Sequence, residues 1–254
     1  MKTIVKKLKD VDFKSPVLIE GLPGIGHVGK LVADHLVEEL KAEKIIEIIS
    51  PHFPPQVIVG GDGVARLVRN EIHAARVDDK EFLILVGDFQ STTSEGHYEI
   101  AELVLDIAHE YNVKMIYTLG GYGIGHIVEK EEVMGAVNDP SLIEPLKEAG
   151  VEFRPNEPGG GIVGISGLLL GLAVERGIPA ACLMGVTPGY MIDPKGAKGV
   201  LKVLMRLLGI EVGTGKLDER AKEMEKIIAK LREMERAQLP PELSTRDEEL
   251  RYIG

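Results

Sequence analysis

The chain has 254 residues, of which 44% are hydrophobic and 28% charged, and a formal net charge of −10. These values are typical of a globular protein with a full core, and the acidic balance argues against a nucleic-acid partner. The only cysteine, Cys182, lies in an apolar run, so we exclude disulfides within the chain and thiolate metal clusters and expect an inert buried thiol. The N-terminus has no secretory signal, and the longest apolar run, 161–174, is too short to span a membrane. We therefore expect a cytoplasmic protein without membrane contact.

Short apolar runs predict β-strands at 17–20, 45–49, 56–60, 82–87, 115–120 and 179–185. Apolar residues at helical spacing predict α-helices at 28–41, 97–111, 141–149, 167–176 and 195–208. The segment 64–77 alternates more regularly and predicts additional antiparallel strands. Strands that alternate with helices indicate an α/β protein. We predict a three-layer α/β/α sandwich with a mostly parallel sheet over residues 1–212.

Residues 213–254 are richer in charged residues than the preceding chain, and this change predicts a separate C-terminal helical tail. Apolar residues recur at heptad spacing in one long charged helix, predicted at 216–236: Leu217, Ala221, Met224, Ile228 and Leu231. The pair Pro240–Pro241 ends this helix, and a short last helix follows it. Two interpretations stay open, a helix that packs on its own domain and an arm that binds a partner.

The segment GLPGIGHVGKL, residues 21–31, matches two nucleotide-binding motifs in part. Gly24, Gly26 and Gly29 give the spacing of a dinucleotide-binding turn, and Gly24, Gly29 and Lys30 give that of a P-loop. Together with Gly21 they form a glycine-rich loop between a predicted strand and a predicted helix. The loop is either a weak ligand site or a structural feature.

Each motif lacks one residue that its chemistry requires. The strand that follows ends in IISPHFPP without the acid that would hold a ribose, and Leu31 stands where a P-loop needs a hydroxyl for magnesium. Asp88, in contrast, follows the apolar strand FLILVG, as the aspartate of a Walker B strand does in nucleotide-binding enzymes. We keep a nucleotide- or nucleoside-binding enzyme as the alternative. We favour the interpretation that the glycines allow a sharp turn and close packing.

Other catalytic patterns are also incomplete. The segment GISGL lacks the last glycine of a nucleophile elbow, and no histidine follows His126, so we predict Ser166 as the N-cap of helix 167–176. The histidines show no metal-ligand spacing, so we expect no metal and no cofactor. One acid–base group remains conceivable above the sheet, formed by Asp88, His97 and Glu99.

The glycine-rich stretches taken together resemble a known family. They are GLPGIGHVGKLVADHL, PHFPPQVIV, GDFQ, TLGGYGIG, GGGIVGISGLLLGLA and GIPAACLMGVTPGY, in this order over about residues 1–212. This set resembles the archaeal homologues of the proteasome assembly chaperones. The resemblance implies a fold similar to nucleoside phosphorylases without their catalytic groups, and hence no enzyme activity. It also implies a homo-oligomer of four or five subunits that acts on 20S proteasome α-subunits or on a paralogous member of the family.

The same family docks through a C-terminal tripeptide of a hydrophobic residue, tyrosine and any residue. This chain ends in Arg251, Tyr252, Ile253 and Gly254. The resemblance implies that these four residues bind the partner. Tyr252 is third from the end instead of second, and Arg251 stands in the place of the hydrophobic residue.

Overall fold

The computed structural model describes residues 2–128, 130–156, 159, 161–223 and 226. The strands are β1 Ile4–Lys7, β2 Val17–Glu20, β3 Glu43–Ile49, β4 Val57–Val59, β5 Ala65–Leu67, β6 Asn70–Val77, β7 Lys80–Gly87, β8 Met115–Gly123, β9 Val133–Val137 and β10 Ala180–Thr187. The α-helices are α1 Val28–Glu39, α2 Ser94–Glu110, α3 Ile143–Glu148, α4 Ile165–Leu172 and α5 Pro194–Leu208.

Eight strands form one sheet in the order β1-β3-β6-β7-β2-β8-β10-β9, and β4 and β5 form a separate hairpin. The four neighbours β7, β2, β8 and β10 are parallel to one another. The strands on both sides of this group pair antiparallel, so the sheet is mixed. Parallel strands need helical crossovers, and these place helices on both faces of the group.

Two apolar clusters fill the space between the sheet and the helices. One cluster joins α1 and α5 to the first face of the sheet, and Val32, Leu36 and Leu201 are fully buried in it. The other joins α2 and α4 to the opposite face through buried residues such as Ile100 and Leu169. The predicted α/β architecture is confirmed, and the helices lie in two layers around the sheet.

The long helices begin and end at residues suited to these positions. The Thr93 side chain accepts a hydrogen bond from Gly96 N at 3.1 Å at the start of α2. Asp193 accepts from Lys195 N and Gly196 N at the start of α5, where Pro194 takes the first position. The φ angle of Gly209 is 62° directly after α5, a left-handed conformation that glycine adopts easily. Local sequence therefore sets these boundaries.

Three local expectations differ from the structure. Strands β1 and β9 were not expected from the sequence. Helix α4 begins at Ile165 after Gly164, whose φ is 87°. Ser166 is therefore inside the helix, and its prediction as the N-cap was wrong because the glycine turn brings the chain into the helix two residues earlier than predicted.

The first residues of the predicted tail pack on the α/β/α domain. Residues 215–223 are helical, and Leu217 is fully buried in the cluster beneath α1 and α5. Lys216 pairs with Glu38 of α1, and His35 Nε2 lies 2.6 Å from the Gly213 carbonyl oxygen. The rest of the predicted helix 216–236 lies outside the described residues, except for Lys226.

Candidate functional site

The glycine-rich loop is a compact turn between β2 and α1. Gly21 N donates to the Leu85 carbonyl at 3.0 Å, and Ile25–His27 form a single 3-10 turn. Gly26 has a φ of 61°, and His27, directly before α1, has a φ of 52°. The chain therefore turns sharply here, and the glycine at position 26 relieves the backbone strain of that turn.

Gly21 and Gly29 lie where the backbones of helix and sheet nearly touch. A Cβ atom on Gly29 would lie within 3.0 Å of the Leu119 carbonyl of β8. A Cβ atom on Gly21 would come equally close to the Gly29 carbonyl and to Ala33. Gly24 differs, because the nearest atom to its Cβ position is 3.9 Å away. Gly21 and Gly29, two glycines of the glycine-rich loop, thus serve close packing between α1 and the sheet.

The two charged groups of the nucleotide alternative are bound within the protein. Lys30 Nζ donates to the Gly87 carbonyl at 3.1 Å and lies 2.9 Å from Asp34. Asp88 accepts two hydrogen bonds from Arg66, at 2.6 and 2.8 Å, and one from Arg69 N. Burial alone would raise the pKa of Asp88, but these hydrogen bonds lower it below its usual range. Neither group is presented to a phosphate or to magnesium.

The acid–base group proposed from Asp88, His97 and Glu99 is not formed. Glu99 lies 3.2 Å from His52 Nε2, whereas His97 Nδ1 lies 2.8 Å from the Thr93 carbonyl. Asp88 remains with Arg66. Among the described residues, no group of three or more histidines, cysteines, aspartates or glutamates could hold a metal ion. In the same part of the chain, no helix combines the length and the apolar character that crossing a membrane requires.

A cavity of about 670 Å³ opens at the carboxyl ends of the parallel strands. In open α/β sheets this edge is the usual place for ligands. The loop after β2 contributes Leu22, Gly24 and Ile25 to its wall, and β8 and β10 contribute Gly120 and Met184. Gln90 and His97 also line it, together with residues 161–164 and Ser166 directly before and at the start of α4.

A buried polar row lies below this cavity. Glu20, Thr118 and Cys182 are paired neighbours on β2, β8 and β10, and all three are fully buried. Ser166 donates from Oγ to Glu20 Oε2 at 2.8 Å, and Leu22 N donates to Glu20 Oε1 at 2.9 Å. Burial raises the pKa of Glu20 to about 7, although both hydrogen bonds act in the opposite direction.

Cys182 is inert in this setting, as expected. It lines the cavity but is fully buried, and burial raises the pKa of its thiol to about 12. Glu20 was missed by the sequence analysis. Its signal was an acid at the end of the otherwise apolar strand VLIE, which only a buried partner such as Ser166 can accommodate.

The predicted partner-binding residues Arg251, Tyr252, Ile253 and Gly254 lie outside the described residues. Their role therefore stays a prediction.

The fold defines the class of protein: an α/β/α domain whose parallel strands end in glycine-rich loops. The model of the PAC2 family matches residues 18–232, and the chain belongs to this family. Its fold is similar to the crystal structure of Pyrococcus furiosus PbaB, an archaeal proteasome activator. The two share 41% sequence identity and a TM-score of 0.86, over 91% of this chain and 99% of that one.

Two further relatives cover nearly the whole chain. Pyrococcus furiosus PbaA, an archaeal homolog of proteasome-assembly chaperone, is 26% identical with a TM-score of 0.74, over 98% of this chain and 99% of its own. The uncharacterized protein MJ1210 of Methanocaldococcus jannaschii is 44% identical, over 100% of this chain and 98% of its own length.

Proposed function

We propose that this protein is a non-enzymatic, homo-oligomeric chaperone or scaffold of the proteasome assembly type, which acts in the cytoplasm on 20S proteasome α-subunits or a paralogous partner. The observation that carries the proposal is the 41% identity with PbaB, an archaeal proteasome activator, over 91% of the chain. The binding of Lys30 and Asp88 within the protein supports a role other than catalysis on a nucleotide. In this proposal the domain has a phosphorylase-like fold without phosphorylase chemistry.

Docking is assigned to the C-terminal tail, residues 213–254. The buried Leu217 supports a tail helix that starts on the α/β/α domain. The terminal piece, 242–254, then serves as the partner-binding arm. A pocket that grips its end must satisfy the Gly254 carboxylate with a cation or amides and the Tyr252 hydroxyl with a polar group. Arg251 and Ile253 complete the contact.

The experiment is a pull-down from native lysate with the full chain and with a variant that lacks residues 240–254. We expect the full chain to retain proteasome α-subunits or a family partner and the truncated chain to lose them. The truncation leaves the described domain complete, so circular dichroism and thermal unfolding of both proteins provide the control for folding. If neither protein retains a proteasome subunit or a family partner, the proposal is contradicted.

Self-association into four or five subunits is part of the same proposal. Its support is an exposed apolar face on the β4–β5 hairpin, where Val57 pairs with Leu67 and Val59 with Ala65. Directly paired residues project to the same face of a hairpin. Val57, Val59 and Leu67 are 53%, 61% and 51% exposed on this face, which we call the hairpin face. Such exposed apolar patches commonly mark contacts between proteins, and we assign this one to a second copy of the chain.

We expect light scattering to give four or five times the monomer mass of 27.6 kDa for the wild-type protein. The double variant Val59→Lys and Leu67→Lys should shift the mass toward the monomer, because it places two charges in the contact. Val174→Lys is the matched control, since Val174 is 54% exposed and follows α4, outside the β4–β5 hairpin. A wild-type monomer at micromolar concentration would refute self-association. If the double variant keeps the mass of the wild type, the hairpin face is not part of the contact between subunits.

A further inference from the structure

The cavity at the carboxyl ends of β2, β8 and β10 has no part in the proposed docking on the proteasome. Its volume of about 670 Å³ falls in the range of small-molecule sites, roughly 300–1,000 Å³. It lies on one face of the sheet, beside the start of α4.

The walls of the cavity are held in place before any ligand binds. Gln90 bridges two of its loops, because its Nε2 donates to the Pro23 carbonyl at 2.8 Å and its Oε1 accepts from Ile165 N at 3.0 Å. Gly164 fits against Gln90 only without a side chain, since a Cβ atom there would lie within 3.0 Å of Gln90 Oε1. The loop after β2 and the start of α4 are thereby fixed relative to each other.

Gly120 keeps the cavity open from the side of the sheet. It lies opposite Met184 in the pairing of β8 with β10, and both residues line the cavity. A Cβ atom on Gly120 would meet no atom within 4 Å. A side chain at this position would therefore extend into free space within the cavity instead of into its neighbours.

Two of the polar side chains that line the cavity, Ser166 and His97, offer hydrogen-bond acceptors. Ser166 uses its hydroxyl proton on Glu20, so its lone pairs remain for a ligand. His97 carries its proton on Nδ1, because that atom faces the Thr93 carbonyl, and in the neutral ring Nε2 is then an acceptor. The Gln90 amide donates one N–H to the Pro23 carbonyl and accepts one hydrogen bond from Ile165 N, so that one N–H of the amide remains.

Charged ligands find no counter-charge in this wall. Among the described lining residues there is no lysine, arginine, aspartate or glutamate, and apolar groups such as Leu22, Ile162 and Met184 cover much of the surface. Glu20 lies behind Ser166 and is fully buried. An ion in such a wall would lose its hydration without a partner.

We propose that this cavity is a binding site for a small uncharged molecule that has an apolar, ring-sized body and carries N–H or O–H donors. The donors meet Ser166 Oγ and His97 Nε2, and the body packs between Gly120 and the apolar wall. None of the described residues that line the cavity belongs to the tail, so the test of this site and the proteasome test can fail separately.

Four probes of similar shape separate charge from hydrogen bonding: benzamide, acetophenone, benzoate and benzamidine. We expect benzamide to bind the full chain saturably in ligand-observed NMR, with a Kd of about 1 mM, a weak affinity suited to so small a ligand. Acetophenone lacks the donors and should bind about three- to tenfold more weakly. Benzoate and benzamidine should show no saturable binding.

Two variants place the binding in this cavity. Gly120→Leu fills the open space and should abolish benzamide binding. Gly171→Leu is its control, because Gly171 is an exposed α4 residue outside the cavity whose Cβ position also meets nothing within 4 Å. Ser166→Ala should weaken benzamide about three- to tenfold and leave acetophenone unchanged. It supplies the decisive comparison if Gly120→Leu fails to fold.

The proposal is overturned if benzamide shows no saturation with the wild-type protein, or if a charged probe binds as tightly as benzamide. It is equally overturned if a folded Gly120→Leu variant binds benzamide as the wild type does. If Ser166→Ala affects benzamide and acetophenone alike, or neither of them, the assignment of the donor contact is wrong and the proposal fails in its chemistry.

Discussion

We expect Gly29→Ala to lower the free energy of unfolding by about 3 kcal/mol, at the upper end of the usual cost of overpacking. A Cβ atom at this position would lie within 3.0 Å of the carbonyl oxygen and carbon of Leu119. Both are backbone atoms of a central strand, so α1 must move away from the sheet to relieve the contact. Urea unfolding followed by circular dichroism measures the loss as a lower midpoint with an unchanged slope.

The matched control for this prediction is Gly24→Ala in the same loop. The nearest atom to a Cβ on Gly24 is 3.9 Å away, an ordinary contact, and the backbone φ of Gly24 is −156°. We expect a change of about 0.5 kcal/mol or less, as at other permissive positions. Equal losses for the two variants would show that close packing of α1 is not what Gly29 provides.

The second large effect is a loss of stability between pH 4.5 and pH 7 that originates in Glu20. Burial raises the pKa of this carboxyl from 4.5 to about 7, so the folded protein holds the proton more tightly than the unfolded chain does. The contribution of Glu20 to stability is therefore complete below pH 4.5 and is lost as the pH rises to about 7. A shift of this size corresponds to about 3 kcal/mol.

Glu20→Gln removes this titration. The difference in stability between the wild type and the variant therefore reports the protonation of Glu20 and not that of other groups. We expect the free energy of unfolding of the wild type, relative to that of the variant, to fall by about 3 kcal/mol from pH 4.5 to pH 8. The absolute effect of the substitution includes one lost acceptor for Leu22 N or Ser166 Oγ, which the comparison between the two pH values cancels. Parallel pH profiles for the two proteins would show that Glu20 does not titrate in this range.

The elements of the fold were predictable wherever the pattern was local. The apolar run 82–87 and the helical spacing of 195–208 appear as β7 and α5 with boundaries shifted by two residues or fewer. Strand β1 was missed because all four of its residues, Ile4–Lys7, are exposed, so no burial pattern marks them. The alternation in 64–77 predicted antiparallel strands, and β6 pairs antiparallel with β3 and β7. The antiparallel pairings of β1 and β9 were not foreseen, because they depend on contacts far apart in the chain.

The site was less predictable, because its contacts connect distant segments. Ser166 and Glu20 are 146 residues apart, and Lys30 and Gly87 are 57 apart. Nothing local to GISGL shows that its serine meets a buried acid, and nothing local to the loop 21–31 shows that its lysine binds a strand carbonyl. The structural interpretation of Gly29 was available from the sequence, since helix and strand had to meet there.

The measurement that tests the proteasome assignment most directly is the affinity of the purified protein for purified 20S core particles, with and without one extra residue after Gly254. The extra residue displaces the terminal carboxylate by about 3.5 Å. We predict that the native chain binds, that the extended chain binds much more weakly, and that the mass of the oligomer stays the same. Equal binding of both chains would contradict docking through the C-terminus, and no binding of either would contradict the proteasome assignment itself.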